Sequence, residues 1–319
     1  MPKSTREAFG EILVQLGEKH PEIVVLDADL SKSTMTGAFA KKFPERHFEL
    51  GIAEANMIGI ASGLALSGLT PFAASFACFL IGRYETIRVS VGYSQANVKL
   101  VGTHAGLGIG EDGYSQMGLE DLAMVRALPN FVVLQPADAT EAYQMVEWAV
   151  QHVGPVYFRL TRQKLEDVHD KSYRFRCGKG SLLYQPSGIS QYSATIFASG
   201  GTVANALGAA KSLQSQDRPA RMVNLSTLKP VDEELILSCA KDSERFVTVE
   251  DHSIIGGLGS AVCEVLAEHG APIPVLRLGA KTYGESGNSK ELYEKHGLSP
   301  KHIIQAVLSP VSSLKPIHS

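Results

Sequence analysis

Short apolar runs rich in β-branched residues alternate along this chain with stretches of helical periodicity. The runs are Ile23–Leu26, Val98–Gly102, Phe131–Gln135 and Val156–Leu160 in the first half. In the second half they are Ala194–Ala198, Met222–Leu225, Phe246–Val249 and Val275–Leu278. Helical patterns fill the gaps at Thr5–Lys19, Glu54–Ser67, Thr140–Gln151, Val203–Gln214 and Ala261–Glu268. Runs unbroken by polar residues predict strands buried on both faces, and their alternation with helices predicts parallel sheets. The expected fold class is therefore α/β, with two doubly wound, mainly parallel-sheet domains. Charged and polar residues dominate 163–192, which reads as a linker with one hairpin.

Composition narrows the class. The 319 residues are enough for two cores, with 44% hydrophobic and 20% charged residues. A net charge of −3 with no basic stripe argues against a nucleic-acid partner. No apolar run reaches the ~18 residues of a membrane span. Residues 1–6 lack a signal-peptide core, and Cys78, Cys177, Cys239 and Cys263 form no CxxC pair. A reducing cytoplasm is the expected compartment.

Two glycine clusters invite a nucleotide-loop reading. Gly108-Ile109-Gly110-Glu111-Asp112-Gly113 fits GxGxxG, but Glu111 and Asp112 place negative charge where a pyrophosphate would lie, and no helix opens directly after it. Gly256-Gly257-Leu258-Gly259 has the wrong spacing and reads as the opening of a helix packed closely on a strand.

The informative stretch is Gly51-Ile52-Ala53-Glu54-Ala55-Asn56. Glu54 opens an otherwise small and apolar helix, where its carboxyl is poorly solvated. Taken alone it is equally an ordinary first-turn acid facing the helix dipole. Its company shifts the balance. Phe76 and Phe79 stand three apart and could clamp a flat ring, although aromatics at that spacing are usually core. A polar loop from Thr103 to Gly113 leaves the end of a strand, where ligands of open parallel sheets bind.

These residues resemble the transketolase family. Gly51–Asn56 is similar to its cofactor-glutamate motif, Phe76-x-x-Phe79 to its aromatic clamp, and the His104–Gly113 segment to its substrate loop. Arg126–Asn130, Thr161-Arg162-Gln163, Val249–His252 and Tyr283–Gly287 follow in family order, so the likeness runs nearly end to end. It implies a thiamine-diphosphate pyrimidine-binding domain over 1–170, a linker over 171–192 and a transketolase C-terminal domain over 193–319. It implies that Glu54 contacts N1′ of the aminopyrimidine and promotes the imino tautomer that deprotonates the thiazolium. Glu54, His104 and Gln116 become the catalytic positions. Asp29, Phe76 and Phe79 join Glu54 as cofactor contacts; Arg6, Ser33, His104 and Arg162 match sugar-phosphate contacts, and Asp112 matches the acid that reads a substrate hydroxyl. Gly82 replaces a third aromatic, with Tyr84 a candidate to fill its space. Gln116 stands where the family commonly has histidine; it keeps a donor but cannot become cationic, so an unusual ketose is expected.

The family's Gly-Asp-Gly…Asn segment for Mg2+ and diphosphate does not occur in the sequence. The resemblance therefore implies a split enzyme. A partner subunit would hold the diphosphate and Mg2+, no metal ligand would come from this chain, and the assembly would be α2β2. The expected activity is transfer of a two-carbon ketol unit between ketose and aldose substrates carrying phosphate or a similar anion. A 2-oxo-acid dehydrogenase β-like or deoxyxylulose-phosphate synthase-like subunit stays open, as does a non-catalytic scaffold. Glu250-Asp251-His252 are expected to be loop and dimer-contact residues.

Overall fold

The computed structural model describes residues 2–310 of the chain; residues 311–319, assigned above to the second domain, lie outside the described residues. The first sheet has seven strands: β1 (Ile23–Asp27), β2 (His47–Glu49), β3 (Thr70–Phe76), β4 (Lys99–Thr103), β5 (Val132–Leu134), β6 (Val156–Arg159) and β10 (Thr227–Lys229). Their order is β10-β5-β6-β4-β3-β1-β2, and only the β10–β5 pairing is antiparallel. The second sheet has five: β7 (Ser181–Tyr184), β8 (Ala194–Ala198), β9 (Ala220–Asn224), β11 (Phe246–Ser253) and β12 (Val275–Ala280), in the order β12-β11-β8-β9-β7. There β7 alone runs antiparallel, on the outside of β9.

The apolar runs become strands for the reason the pattern gives: β1, β4, β5, β6, β8 and β9 are buried along their whole length between helix layers, as is β3 (Thr70–Phe76), which is not among the predicted runs. The predicted helices form at Thr5–Lys19, Glu54–Leu66, Ala139–Gln151, Val203–Gln214 and Leu258–Glu268. Among the described residues no helix is long and apolar enough to cross a membrane.

The two sheets are not independent. Strand β10 lies in the second half of the sequence yet closes the edge of the first sheet. One continuous apolar cluster joins Leu26, Met57 and Leu100 to Val223, Leu225 and Phe246. Strand β7 falls inside the stretch read as linker and is a sheet edge instead.

Each sheet has a point where the chain reverses its winding. In the first, β2 and β3 lie on opposite sides of β1. In the second, β9 and β11 lie on opposite sides of β8. Crevices open at such points beyond the carboxyl ends of the strands. The first crevice gathers the candidate site.

Candidate functional site

The site begins at the helix Glu54–Leu66. Glu54 is its first residue and is only 5% exposed. The Ser75 hydroxyl donates to Glu54 Oε1 at 3.1 Å. The next residue on β3, Phe76, ends the strand, so the hydroxyl that holds the Glu54 carboxyl and the aromatic wall issue from one strand end.

Phe76 is the middle of a three-ring stack. On one side lies Phe79, with centroids 5.3 Å apart and planes at 7°. On the other lies His104, at 3.7 Å and 22°. Phe79 sits in the short helix Ala77–Ile81 and is half-buried, which leaves the stack an open side. Tyr84 does not join it; it packs against the core of the first sheet.

His104 follows β4 with a left-handed φ of 56°, a costly conformation for a side chain with a Cβ. Its hydrogen bonds fix the ring. Arg6 has only donors, so its Nη1, 2.9 Å away, donates to His104 Nε2. The ring proton then lies on Nδ1 and is donated to the Thr103 hydroxyl at 2.9 Å. Thr103 Oγ1 in turn donates to the Ser75 carbonyl at 3.3 Å. A connected path thus runs Arg6–His104–Thr103–Ser75–Glu54. Burial, then the Arg6 and Arg162 charges, push the His104 imidazole down to about 3, so it stays neutral at ordinary pH.

Arg6 is set by its helix. Ser4 and Glu7 form a reciprocal capping box: the Glu7 backbone N–H donates to Ser4 Oγ at 3.3 Å, and Ser4 N–H donates to Glu7 Oε2 at 2.8 Å. This turn aims Arg6 into the crevice, where Nη1 also donates to the Ser33 carbonyl at 2.7 Å. The helix approaches the 31–36 segment closely because of Gly10: a Cβ there would lie 2.5 Å from the Met35 carbonyl oxygen. Burial first, then Arg162, pushes the Arg6 guanidinium below its ordinary value. Arg162 Nη1 donates to the Ile109 carbonyl at 2.7 Å and stands 3.7 Å from Asp112 Oδ1. Two guanidinium groups close enough to repel each other are relieved by a bound anion.

The other expected positions separate. Ser33 meets Arg6 through its carbonyl, and among the described residues its hydroxyl makes no hydrogen bond to the site. Asp29 has φ 59° and donates its N–H to Glu49 Oε1 at 2.6 Å; its carboxylate is exposed. Gln116 lies in the turn Tyr114–Gln116; among the described residues its side chain bonds Ser115 Oγ alone, while its carbonyl accepts from Cys78 Sγ at 3.2 Å. It is not hydrogen-bonded to His104 or Asp112. Burial pushes the Cys78 thiol up to about 12, which leaves it protonated and unreactive.

Glu250, Asp251 and His252 are a correction. They lie within β11, not in a loop, and are 0%, 1% and 0% exposed in the single chain, which leaves no surface for a dimer contact. Glu250 accepts from Leu258 and Gly259 N–H at 2.7 and 2.9 Å, under the start of the helix Leu258–Glu268. That accounts for the second glycine cluster: a Cβ on Gly257 would lie 1.9 Å from Glu250 Oε2.

Sequence reasoning missed Ser75 and Thr103, common residue types that matter here only through what they join. The residues present fit an aminopyrimidine ring: a buried acid with one oxygen taken by Ser75, beside a flat wall with an open side.

These features define a class, the doubly wound α/β proteins with a polar site at the carboxyl ends of a parallel sheet. Comparison with known proteins sharpens it. Residues 1–167 match the transketolase pyrimidine-binding domain and 190–303 the transketolase C-terminal domain. A Methanocaldococcus jannaschii protein named as a transketolase C-terminal section is 44% identical over 310 residues, 96% of each chain. The 6-deoxy-6-sulfo-D-fructose transketolase subunit of a Clostridium species is 38% identical over 303 residues, 94% of this chain and 92% of that one. A solved split-gene transketolase, described as an inactive beta4 tetramer, superposes with TM-score 0.88 at 45% identity over 97% of this chain and 98% of that chain. The chain belongs to the transketolase family and carries its pyrimidine-binding and C-terminal domains.

Proposed function

We propose that this chain is the pyrimidine-side subunit of a split, thiamine-diphosphate-dependent transketolase that transfers a two-carbon ketol unit between anionic sugars. The carrying observation is the path from Arg6 through His104, Thr103 and Ser75 to the buried Glu54. It ties an acid suited to an aminopyrimidine to a basic pair suited to a sugar anion. The names of the split-gene structure and the C-terminal-section relative support the split arrangement. The sulfofructose relative supports an anionic substrate.

The cofactor would supply a carbon nucleophile. Glu54 would hold a proton against the ring nitrogen in a water-poor pocket, with Ser75 fixing the carboxylate. Phe76 and Phe79 would pack along the ring and exclude water. Arg6 and Arg162 would bind the sugar's anion, and Asp112 would accept from a substrate hydroxyl. His104, neutral with Nε2 held by Arg6, would orient rather than charge. Asp29, Ser33 and Gln116 are assigned to the rim, where Gln116 would meet a donor sugar through its amide. A partner subunit would hold Mg2+ and the diphosphate, in an α2β2 assembly within the cytoplasm.

The test uses the chain reconstituted with a partner subunit that carries the diphosphate site. Glu54→Gln should lower ketol transfer by roughly 10²–10⁴-fold, the range of a lost acid–base group. Full turnover in that variant would favour a scaffold. Turnover by this chain without a partner would refute the split.

A further inference from the structure

The winding reversal of the second sheet, between β8 and β11, is where a ligand would normally sit in such a sheet. Here that crevice is filled by the chain itself. The pairing of β11 with β8 ends at Val249 and Ala198, and Asp251 stands just beyond it. Asp251 Oδ1 accepts the Leu107 N–H at 2.6 Å, and Oδ2 accepts the Gly108 N–H at 3.1 Å. The Tyr293 hydroxyl donates to Asp251 Oδ2 at 2.7 Å and accepts from Gln163 Nε2 at 2.8 Å. Ser289 Oγ donates to the Gly108 carbonyl at 2.9 Å. The fit is close: a Cβ on Gly106 would lie 2.2 Å from Asp251 Oδ2, and one on Gly108 would lie 2.0 Å from Gln163 Nε2. The segment so held, 104–112, is the one that carries His104 and Asp112.

We infer that Asp251 and Tyr293 are positioning residues that clamp the 104–112 loop, so the second domain sets substrate geometry in a site it does not line. The inference rests on the substrate role proposed above for His104 and Asp112. A carboxylate suits the task because its two oxygens receive two backbone N–H groups and the Tyr293 hydroxyl, whereas an amide of the same shape offers one acceptor oxygen and turns an NH2 toward the remaining donors. Burying an acid there is costly, and two amides, a hydroxyl and the nearby Arg159 offset the cost.

Hydrogen exchange and kinetics test the two halves of the inference separately. In the isolated chain, Asp251→Asn should speed exchange of the Leu107 and Gly108 amides at least tenfold, while the helix Glu54–Leu66 keeps its protection. Tyr293→Phe, which removes one hydroxyl and keeps the ring, should do the same more weakly and covers the case in which the first variant misfolds. Unchanged exchange of those amides in both folded variants overturns the clamp. In the reconstituted enzyme, both variants should raise KM for the ketose several-fold and leave thiamine-diphosphate affinity within twofold of native. A matched loss of cofactor affinity would make the residues merely structural. If the native complex transfers no ketol at all, the functional reading falls, and the exchange result alone decides the clamp.

Discussion

At the scale of single residues, the site depends on a histidine that does not charge. His104 is buried against Phe76 and feels the charges of Arg6 and Arg162, so its folded form resists protonation down to about 3. In the unfolded chain the same ring takes a proton near its ordinary value of 6.5. Between those two values the unfolded state therefore binds more protons than the folded one, and stability must fall as pH drops through that window. His252, pushed down to about 4 by burial, works in the same direction. Glu250, pushed up to about 7, opposes them, because the folded state takes up its proton first. His104→Asn should flatten the decline of urea-unfolding free energy between pH 7 and pH 5, leaving the opposing contributions of His252 and Glu250, which largely offset each other there. An identical slope in native and variant protein would mean that His104 charges in the folded state. The same neutrality predicts that ketose turnover shows no inflection near 6.5 from this residue.

At the scale of elements, the capping box decides where Arg6 points. Ser4 is 1% exposed and terminates the Thr5–Lys19 helix two residues before Arg6. Ser4→Ala removes the side-chain acceptor and should cost about 1 kcal/mol, the usual worth of an N-cap. Because the first turn would fray, the ketose KM should rise more than kcat falls. A variant that loses stability with KM unchanged would show that Arg6 is held by Ser33 and His104 alone. Elements also explain how far the sequence could be read. Strands β1, β4, β5, β6, β8, β9 and β11 were legible because burial on both faces leaves them mostly apolar, with the charged residues Asp27, Lys99 and Arg159 at their ends and Glu250 just past the apolar run of β11; β3, with Thr70 and Ser75, did not stand out as a run. Strands β2, β7 and β10 were not, since His47-Phe48-Glu49, Ser181–Tyr184 and Thr227–Lys229 lie at sheet edges where polar residues are allowed. Glu54 stood out as an acid in a small, apolar helix, and Phe76 and Phe79 as two rings beside it, whereas Arg6 and Arg162 were picked out only by the resemblance of their positions to the transketolase pattern. Ser75, Thr103 and Tyr293 were not, because a hydroxyl acquires its meaning only from a partner far away in the chain.

At the scale of the whole molecule, one buried ion pair ties the two sheets together. Arg159 ends β6 at 1% exposure, and its Nε donates to both carboxylate oxygens of Asp121 at 2.9 and 3.1 Å. Its Nη2 donates to the Gly118 carbonyl at 2.7 Å and crosses to the Asp251 carbonyl on β11 at 2.8 Å. The Tyr157 hydroxyl donates to Asp121 Oδ2 at 2.8 Å. A fully buried pair of this kind contributes less through mutual attraction than through what happens when one partner is lost, since the remaining charge has no water to turn to. Arg159→Met should therefore cost roughly 3–5 kcal/mol, because Asp121 is left with the Tyr157 hydroxyl and a neutral His252 ring 3.9 Å away and no cation in contact among the described residues. Adding Asp121→Asn removes that stranded charge and should return part of the loss, so the double variant should be more stable than Arg159→Met alone. Urea unfolding of the three proteins checks this ordering. If the double variant is the least stable, the losses are additive and reflect packing rather than a stranded charge. The single variant should also unfold less cooperatively, with a shallower transition. The bond from Arg159 to β11, together with β10 on the first sheet and the apolar cluster shared by both halves, should make the two sheets unfold as one body, which a single coincident urea transition by fluorescence and circular dichroism would check.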